Sequence, residues 1–220
     1  MYGWTETQSI KKARDLSQSL QNICDDLQIN SSVFLCNGHQ PLGNAFGTTY
    51  ELIEAGNVLK GDGPFDLKKY AIEIGSDLLL LTKKFQQKIE AKKFIKEEII
   101  KGRAVYKPMI FKESSPSNIS SKKNIGISSP RKGYIHCLSM EAILETKSTL
   151  GFSCPGNGMR IIKKVGDRTE KGDLLVEIFT LQNKEMYRIG KEIQKAYTIS
   201  VKPPDFQPLI LERPGIRMPA

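Results

Sequence analysis

The amino-acid sequence predicts an α/β region followed by a small α+β domain, and three observations carry that prediction. Near the N-terminus, apolar residues at gaps of three and four give way to Val33-Phe34-Leu35-Cys36, an apolar run that does not alternate. Residues 112–131 are rich in Ser, Pro, Lys and Asn and hold almost no large apolar side chain. Beyond them, two apolar strands flank a turn rich in glycine and aspartate. The expected organisation is residues 1–107, a linker over 108–131, the α+β domain over 132–205 and an irregular tail over 206–220.

Each element follows from local chemistry. Ile10, Ala13, Leu16, Leu20, Ile23, Cys24 and Leu27 form one stripe on a helix over 9–28. Asn30 and the two serines after it break that helix, and the run from Val33 to Cys36 is a strand buried on both faces. A loop, Asn37 to Gly43, leads to a helix from Thr48 to Leu59 that stops at Lys60-Gly61-Asp62-Gly63-Pro64. Asp66 is placed to cap a helix through Thr82, with Leu67, Tyr70, Ala71, Ile74, Leu78 and Leu81 facing inward. A basic amphipathic helix spans 86–101. After the linker come a strand over 133–138, a helical turn over 140–144, and strands over 159–165 and 174–179. A last helix over 182–195 and a last strand over 197–201 follow, and Pro203, Pro204, Pro208 and Pro214 mark the tail.

Composition narrows the function classes. With 39% hydrophobic and 26% charged residues the chain is globular. The net charge of +9 admits nucleic acid, an anionic surface or a phosphate-bearing ligand. The excess concentrates in Lys83–Lys107 and Lys122–Lys132, without the aromatic interleaving of a single-strand platform, so solvated faces explain it better. The four cysteines, Cys24, Cys36, Cys137 and Cys154, form no CxxC pair, and His39 and His136 are the only imidazoles, so no zinc site is expected. The N-terminus has no export signal, and the longest apolar run, Leu78 to Leu81, is too short to span a bilayer. A cytoplasmic setting is the expectation.

Several motifs are read here as structural. Lys164 to Leu175 resembles the hammerhead hairpin of lipoyl and biotinyl carrier domains, yet the chain has no Met-Lys pair for a second hairpin tip. Gln40-Pro41-Leu42-Gly43-Asn44-Ala45-Phe46-Gly47 is a glycine-rich strand-to-helix loop without a Walker ending. His39 and His136 lack neighbours for nucleophilic catalysis, and Lys147-Ser148-Thr149 lacks the glycine a phosphate loop needs.

Taken in order, three stretches resemble the thymidine phosphorylase and AMP phosphorylase family. They are Ala13-Arg14-Asp15-Leu16 leading to Gln40-Pro41-Leu42-Gly43; Gly47–Glu51 and Glu54-Ala55 running to Leu59-Lys60-Gly61-Asp62-Gly63-Pro64; and Gly158–Ile178 with Lys164-Val165-Gly166-Asp167 and Glu170-Lys171-Gly172-Asp173. The resemblance spans nearly the whole chain and is to the family's C-terminal half. The short turn Cys154-Pro155-Gly156-Asn157 and the ending Leu209–Ile216 are similar to the AMP phosphorylase branch or its bacterial relatives labelled thymidine phosphorylases. The resemblance implies a partial α/β and helical phosphorylase domain, then a small α+β domain with the hammerhead-like hairpin.

It further implies phosphorolysis of thymidine, uridine or AMP, with phosphate as co-substrate. The family's phosphate loop, acidic residue and base-binding segment have no counterpart in this sequence, so no catalytic residue carries over and the isolated chain is expected to be inactive. One site transfers in position: a potassium ion held by the backbone carbonyls of Leu42 and Ala45 and by Glu54, an all-oxygen set suited to a hard cation. The implied partners are a second copy or a complementary N-terminal half, with a nucleoside or nucleotide ligand and no membrane. Two other readings stay open: a non-enzymatic basic module that binds nucleic acid through Lys83–Lys101, and a lipoyl-type carrier.

Overall fold

The computed structural model describes residues 2–3, 9–102, 123–180, 186–205 and 208–219. In chain order the elements are β1 (Tyr2–Gly3), α1 (Ile10–Asp26), β2 (Ser31–Gly38), β3 (Ala45–Phe46), α2 (Thr48–Leu59), α3 (Phe65–Leu81), α4 (Lys88–Ile100), β4 (Lys123–Ser128) and β5 (Gly133–Leu138). There follow α5 (Met140–Leu150), β6 (Gly158–Ile161), β7 (Arg168–Thr169), β8 (Leu174–Thr180), α6 (Met186–Ala196), β9 (Tyr197–Ser200) and β10 (Ile210–Arg217). The fold mixes helices with several small sheets. It divides into two units, one drawn from Met1–Gly38, Val58–Tyr106 and Gln207–Ala220, the other from His39–Asn57 and Lys107–Phe206.

In the first unit β2 is the centre of a three-stranded sheet, with β1 parallel to it on one side and β10 antiparallel on the other. Helix α1 is the crossover between the parallel strands; Ser9 caps it by accepting from the Lys12 amide at 3.1 Å. The expected irregular tail is in fact strand β10. Pro214 is tolerated because β10 is an edge strand whose register shifts between Glu212 and Gly215, where no ladder donor is required. Helix α3 also departs from expectation. Its N-cap is Pro64, while Asp66 lies in the first turn and accepts from the Leu67 amide at 2.8 Å. Its buried residues are Glu73, Ser76 and Asp77; Ala71 and Leu78, expected inside, are exposed. The inward face is chosen by ion pairs with α4 and a hydrogen bond from β2, which the apolar periodicity does not register.

The second unit holds two sheets, ordered β3-β6-β8-β4 and β7-β5-β9. Residues 123–128, expected in the linker, form β4; Ile125 and Ile127, two apart on one face, pair with Ile178 and Val176 of β8. Residues 108–122 of that linker lie outside the described residues. Helix α5 is longer than the expected turn, capped by Ser139 and stopped by left-handed Gly151. Strands β6 and β8 pair antiparallel with Ile161 opposite Val176, and the connection between them carries the short strand β7. Around this frame Ile135, Ile143, Phe152, Met159, Ile161, Leu175, Ile178 and Ile193 close an apolar core, each at most 1% exposed.

Candidate functional site

The glycine-rich loop and helix α2 are built onto strand β6. Ala45 and Phe46 pair with Arg160 and Met159, and the Ile161 amide donates to the Asn44 carbonyl at 2.8 Å. The Thr48 amide reaches the Phe152 carbonyl at 3.2 Å, and Tyr50 of α2 stacks on Phe179 of β8 at 4.4 Å. Two glycines permit this approach. A Cβ on Gly47, whose φ is +101°, would stand 2.5 Å from the Asn157 carbonyl oxygen; one on Gly158 would stand 2.3 Å from the Tyr50 ring. Two stretches distant in sequence, Gln40–Glu54 and Gly158–Ile178, are thus one structural element.

Within that element the loop closes on Glu54. Its carboxylate accepts the Asn44 amide at 3.1 and 3.0 Å and the Ala45 amide at 3.3 Å. Gly43, buried with φ +72°, turns the chain between Leu42 and Asn44, and the Lys164 ammonium donates to the Pro41 carbonyl at 3.0 Å. Leu42 and Ala45, two of the residues expected to hold potassium, lie in or next to this loop, and Glu54, the third, stands on helix α2. Their donors are all oxygen. A carboxylate has about four lone-pair sites, and Glu54 spends part of that capacity on the two amides. Among the described residues no group of three or more His, Cys, Asp and Glu is placed to hold a metal ion.

The turn beneath is held by charge and by hydrogen bonds. Asp167 accepts from the Lys164 amide at 2.7 Å and Asp173 from the Glu170 amide at 3.0 Å. That amide bond keeps the Asp173 carboxyl below its ordinary range; burial opposes it, and the nearby Lys163 adds to the lowering. Tyr197 lies under the hairpin within reach of the Lys163 and Leu175 carbonyls at 3.1 and 3.3 Å, and burial, then the charge of Asp167, pushes its hydroxyl upward.

Other expected features fall elsewhere. His39 and His136 are exposed; a register shift between Ile135 and Cys137 lifts His136 out of the β5–β9 ladder. Lys147-Ser148-Thr149 lies inside helix α5, where its amides serve the helix. Cys24, Cys36, Cys137 and Cys154 are all free thiols. In the first unit Cys36 lies 3.6 Å from the Tyr70 hydroxyl, and burial, followed by that contact, pushes Tyr70 up to about 12. The lysines of α4 are partly committed: Lys92 meets Glu73 at 2.6 Å and Lys88 pairs with Asp77. A cleft of about 470 Å³ in that unit is lined by Phe65, Ile72, Ile99 and several lysines and contains no residue of the Gln40–Glu54 loop. The contacts that sequence reasoning missed are Lys164 on Pro41 and Tyr50 on Phe179, long-range pairings with no local signal.

No family model matches the chain. Its curated homologues, however, are nucleoside phosphorylases, matched through their C-terminal part. The chain is 28% identical to a pyrimidine-nucleoside phosphorylase of Staphylococcus epidermidis, over 88% of its own length and 49% of that protein. It is 25% identical to a protein of the same name from Staphylococcus aureus strain MSSA476, over 93% of its own length and 52% of the relative. The chain therefore spans about half the length of these curated relatives.

Proposed function

We propose that this chain supplies the C-terminal region of a nucleoside phosphorylase, a pentosyltransferase that moves the sugar of a pyrimidine nucleoside or of AMP from the base to phosphate. The observation that carries the proposal is the union of Gln40–Glu54 with Gly158–Ile178 in one element, in a chain similar to such enzymes over most of its length. In this reading the region orders a potassium-binding turn and buttresses the active site. The groups that bind phosphate and base come from the portion that the relatives have and this chain does not match. The short turn at Cys154–Asn157 and the ending at Leu209–Ile216 favour AMP as substrate.

The test is base release from thymidine, uridine and AMP with inorganic phosphate, followed by liquid chromatography. The chain alone is expected to release none. Co-expressed with the N-terminal part of the S. epidermidis relative, it is expected to release base, faster in potassium than in sodium. Glu54→Gln keeps an acceptor for the two amides but removes the charge, and should abolish the potassium preference while the fold persists. Turnover by the chain alone, or none in any combination, overturns the proposal. Helix α4 as a nucleic-acid surface would instead show binding that weakens steeply with salt.

A further inference from the structure

Helices α3 and α4 run antiparallel, and their ion pairs advance one helical turn at a time. Lys88 pairs with Asp77, and one turn along Lys92 meets Glu73 at 2.6 Å. Arg213 brings a further cation to Glu73 at 2.6 Å. Ala91 is wholly buried, and a Cβ on Gly75 would stand 2.9 Å from the Ile95 side chain, so the two helices meet closely along this stretch. The same register carried one turn further sets Lys69 opposite Lys96, and the turn after that sets Phe65 opposite Ile100. There the alternation of charge fails. Two ammonium groups share a turn where each preceding turn joins an ammonium to a carboxylate.

Lys69, Lys96, Phe65 and Ile100 all line the cleft of about 470 Å³, together with Ile72 and the buried Ile99. That volume is in the range of small-molecule sites. The other lysines of the cleft are committed, Lys92 to Glu73 and Lys68 to the Gly61 carbonyl at 3.0 Å. Among the described residues Lys69 and Lys96 have no acidic partner, and Glu73, the carboxylate that lines the cleft, is already matched by Lys92 and Arg213. Two like charges repel, and an anion seated between them replaces that repulsion with two charge-assisted contacts. Phe65 and Ile100 add the second requirement. They are 76 and 78% exposed, apolar surface that an inorganic ion leaves wet and an apolar body covers. We propose that the α3–α4 cleft binds a small amphipathic anion, its carboxylate, sulfonate or phosphate between Lys69 and Lys96 and its apolar body along Phe65, Ile72, Ile99 and Ile100. The site is independent of the phosphorylase reading, because no residue of the Gln40–Glu54 loop lines the cleft.

The full chain is titrated with anilinonaphthalenesulfonate and, separately, with N-phenylnaphthylamine, the same aromatic body without the sulfonate. Fluorescence reads affinity, and hydrogen exchange reads location. The sulfonate should bind once per chain, about tenfold tighter than the neutral probe, and slow exchange over 65–73 and 92–101. Lys69→Gln with Lys96→Gln should weaken the sulfonate about tenfold and leave the neutral probe unchanged. Lys69→Arg with Lys96→Arg should keep the sulfonate bound. Phe65→Ala should weaken both probes, and Leu20→Glu, on an exposed position of α1, should change neither. Because every substituted side chain is exposed, circular dichroism should show the variants folded. Decanoate or naphthyl phosphate should displace the sulfonate, and the one that does so at lower concentration tells a carboxylate ligand from a phosphate; inorganic phosphate should displace nothing. Equal affinity for the two probes, indifference to the lysine pair, loss with Leu20→Glu, or displacement by neither apolar anion overturns the proposal. So does an oligonucleotide whose binding needs the lysine pair when that of the sulfonate does not, because the face would then serve a polyanion.

Discussion

The two units differ in how much charge and how much apolar surface they bury. In the second, Ile135, Phe152, Met159, Leu175 and Ile178 are each at most 1% exposed and touch other apolar side chains. In the first, the buried set includes Gln21, Asn37, Glu73, Ser76 and Asp77, while Phe65, Ile89 and Ile100 stand 76, 71 and 78% exposed. An apolar core holds itself together by excluding water, at roughly 25 cal/mol per Å². A unit whose large apolar residues point outward has not completed that exclusion, and charge pairing does part of the work instead. Among the described residues the second unit closes an apolar core, while the first pairs charge inside and leaves several large apolar residues exposed.

The largest expected effect breaks the finished side. Phe152→Ala removes a side chain that is 1% exposed, and truncation of a buried Phe costs about 3–5 kcal/mol. Hydrogen exchange read peptide by peptide should show the second unit opening by that amount. Leu20→Ala, on the first unit, should move nothing by more than about 0.5 kcal/mol. Comparable losses at the two positions would erase the contrast. Next comes Gly158→Ala, which leaves the core intact but drives a methyl against Tyr50 and the Phe46 carbonyl. Overpacking of this kind costs about 1–3 kcal/mol, and fluorescence of Tyr50 together with exchange at Asn44 and Ala45 should report the loop lifting from β6. Unchanged exchange there would mean that the loop is not held by this contact.

The third effect tests the charged interior of the first unit. Burial pushes the Glu73 carboxyl up, but hydrogen bonds from Lys92 and Arg213 and their charges outweigh burial and leave it below the ordinary range. A carboxyl depressed in the fold stabilises above its unfolded value, near pH 4.3, and that stability is lost as pH falls through the folded value. The first unit should therefore loosen on acidification. Glu73→Gln should flatten that dependence and cost about 1–3 kcal/mol at neutral pH by leaving cations unpaired. Urea midpoints from pH 7 to pH 3 measure both; an acid limb that survives the substitution assigns the sensitivity to other groups.

What could be read from the sequence tracks the same division. Strand β5 and the β6–β8 hairpin followed from spacing and turn residues, because in the second unit apolar residues do face the core; helix α2 followed from its stop signal at Lys60-Gly61-Asp62-Gly63-Pro64. The hold of Glu54 on the Asn44 and Ala45 amides had no local signal and came from the structure. Periodicity misjudged α3 because Glu73 and Asp77 are drawn inward by partners distant in sequence, Arg213 on β10 and Ser32 on β2. It passed over β4 for a different reason: isoleucines spaced two apart among lysines, asparagine and serine look like linker until β8 is known to lie opposite. The hold of Lys164 on Pro41 joins positions so far apart that no local rule could find it.

The smallest effect sharpens the comparison within the first unit. Arg217 meets Asp25 at 2.6 Å, with side chains 32 and 37% exposed, whereas the Glu73 side chain is 11% exposed. Water screens the outer pair and its side chains lose rotamer freedom to meet, so such pairs contribute about 0.2–1 kcal/mol. A double-mutant cycle with Arg217→Gln and Asp25→Asn should return a coupling in that range that shrinks as salt rises toward 1 M, where the Debye length falls to about 3 Å. The equivalent cycle between Lys92→Met and Glu73→Gln should return a larger coupling that salt barely alters. If both couplings shrink alike, the Glu73 cluster is solvated, and the first unit has no charged interior to set against the apolar core of the second.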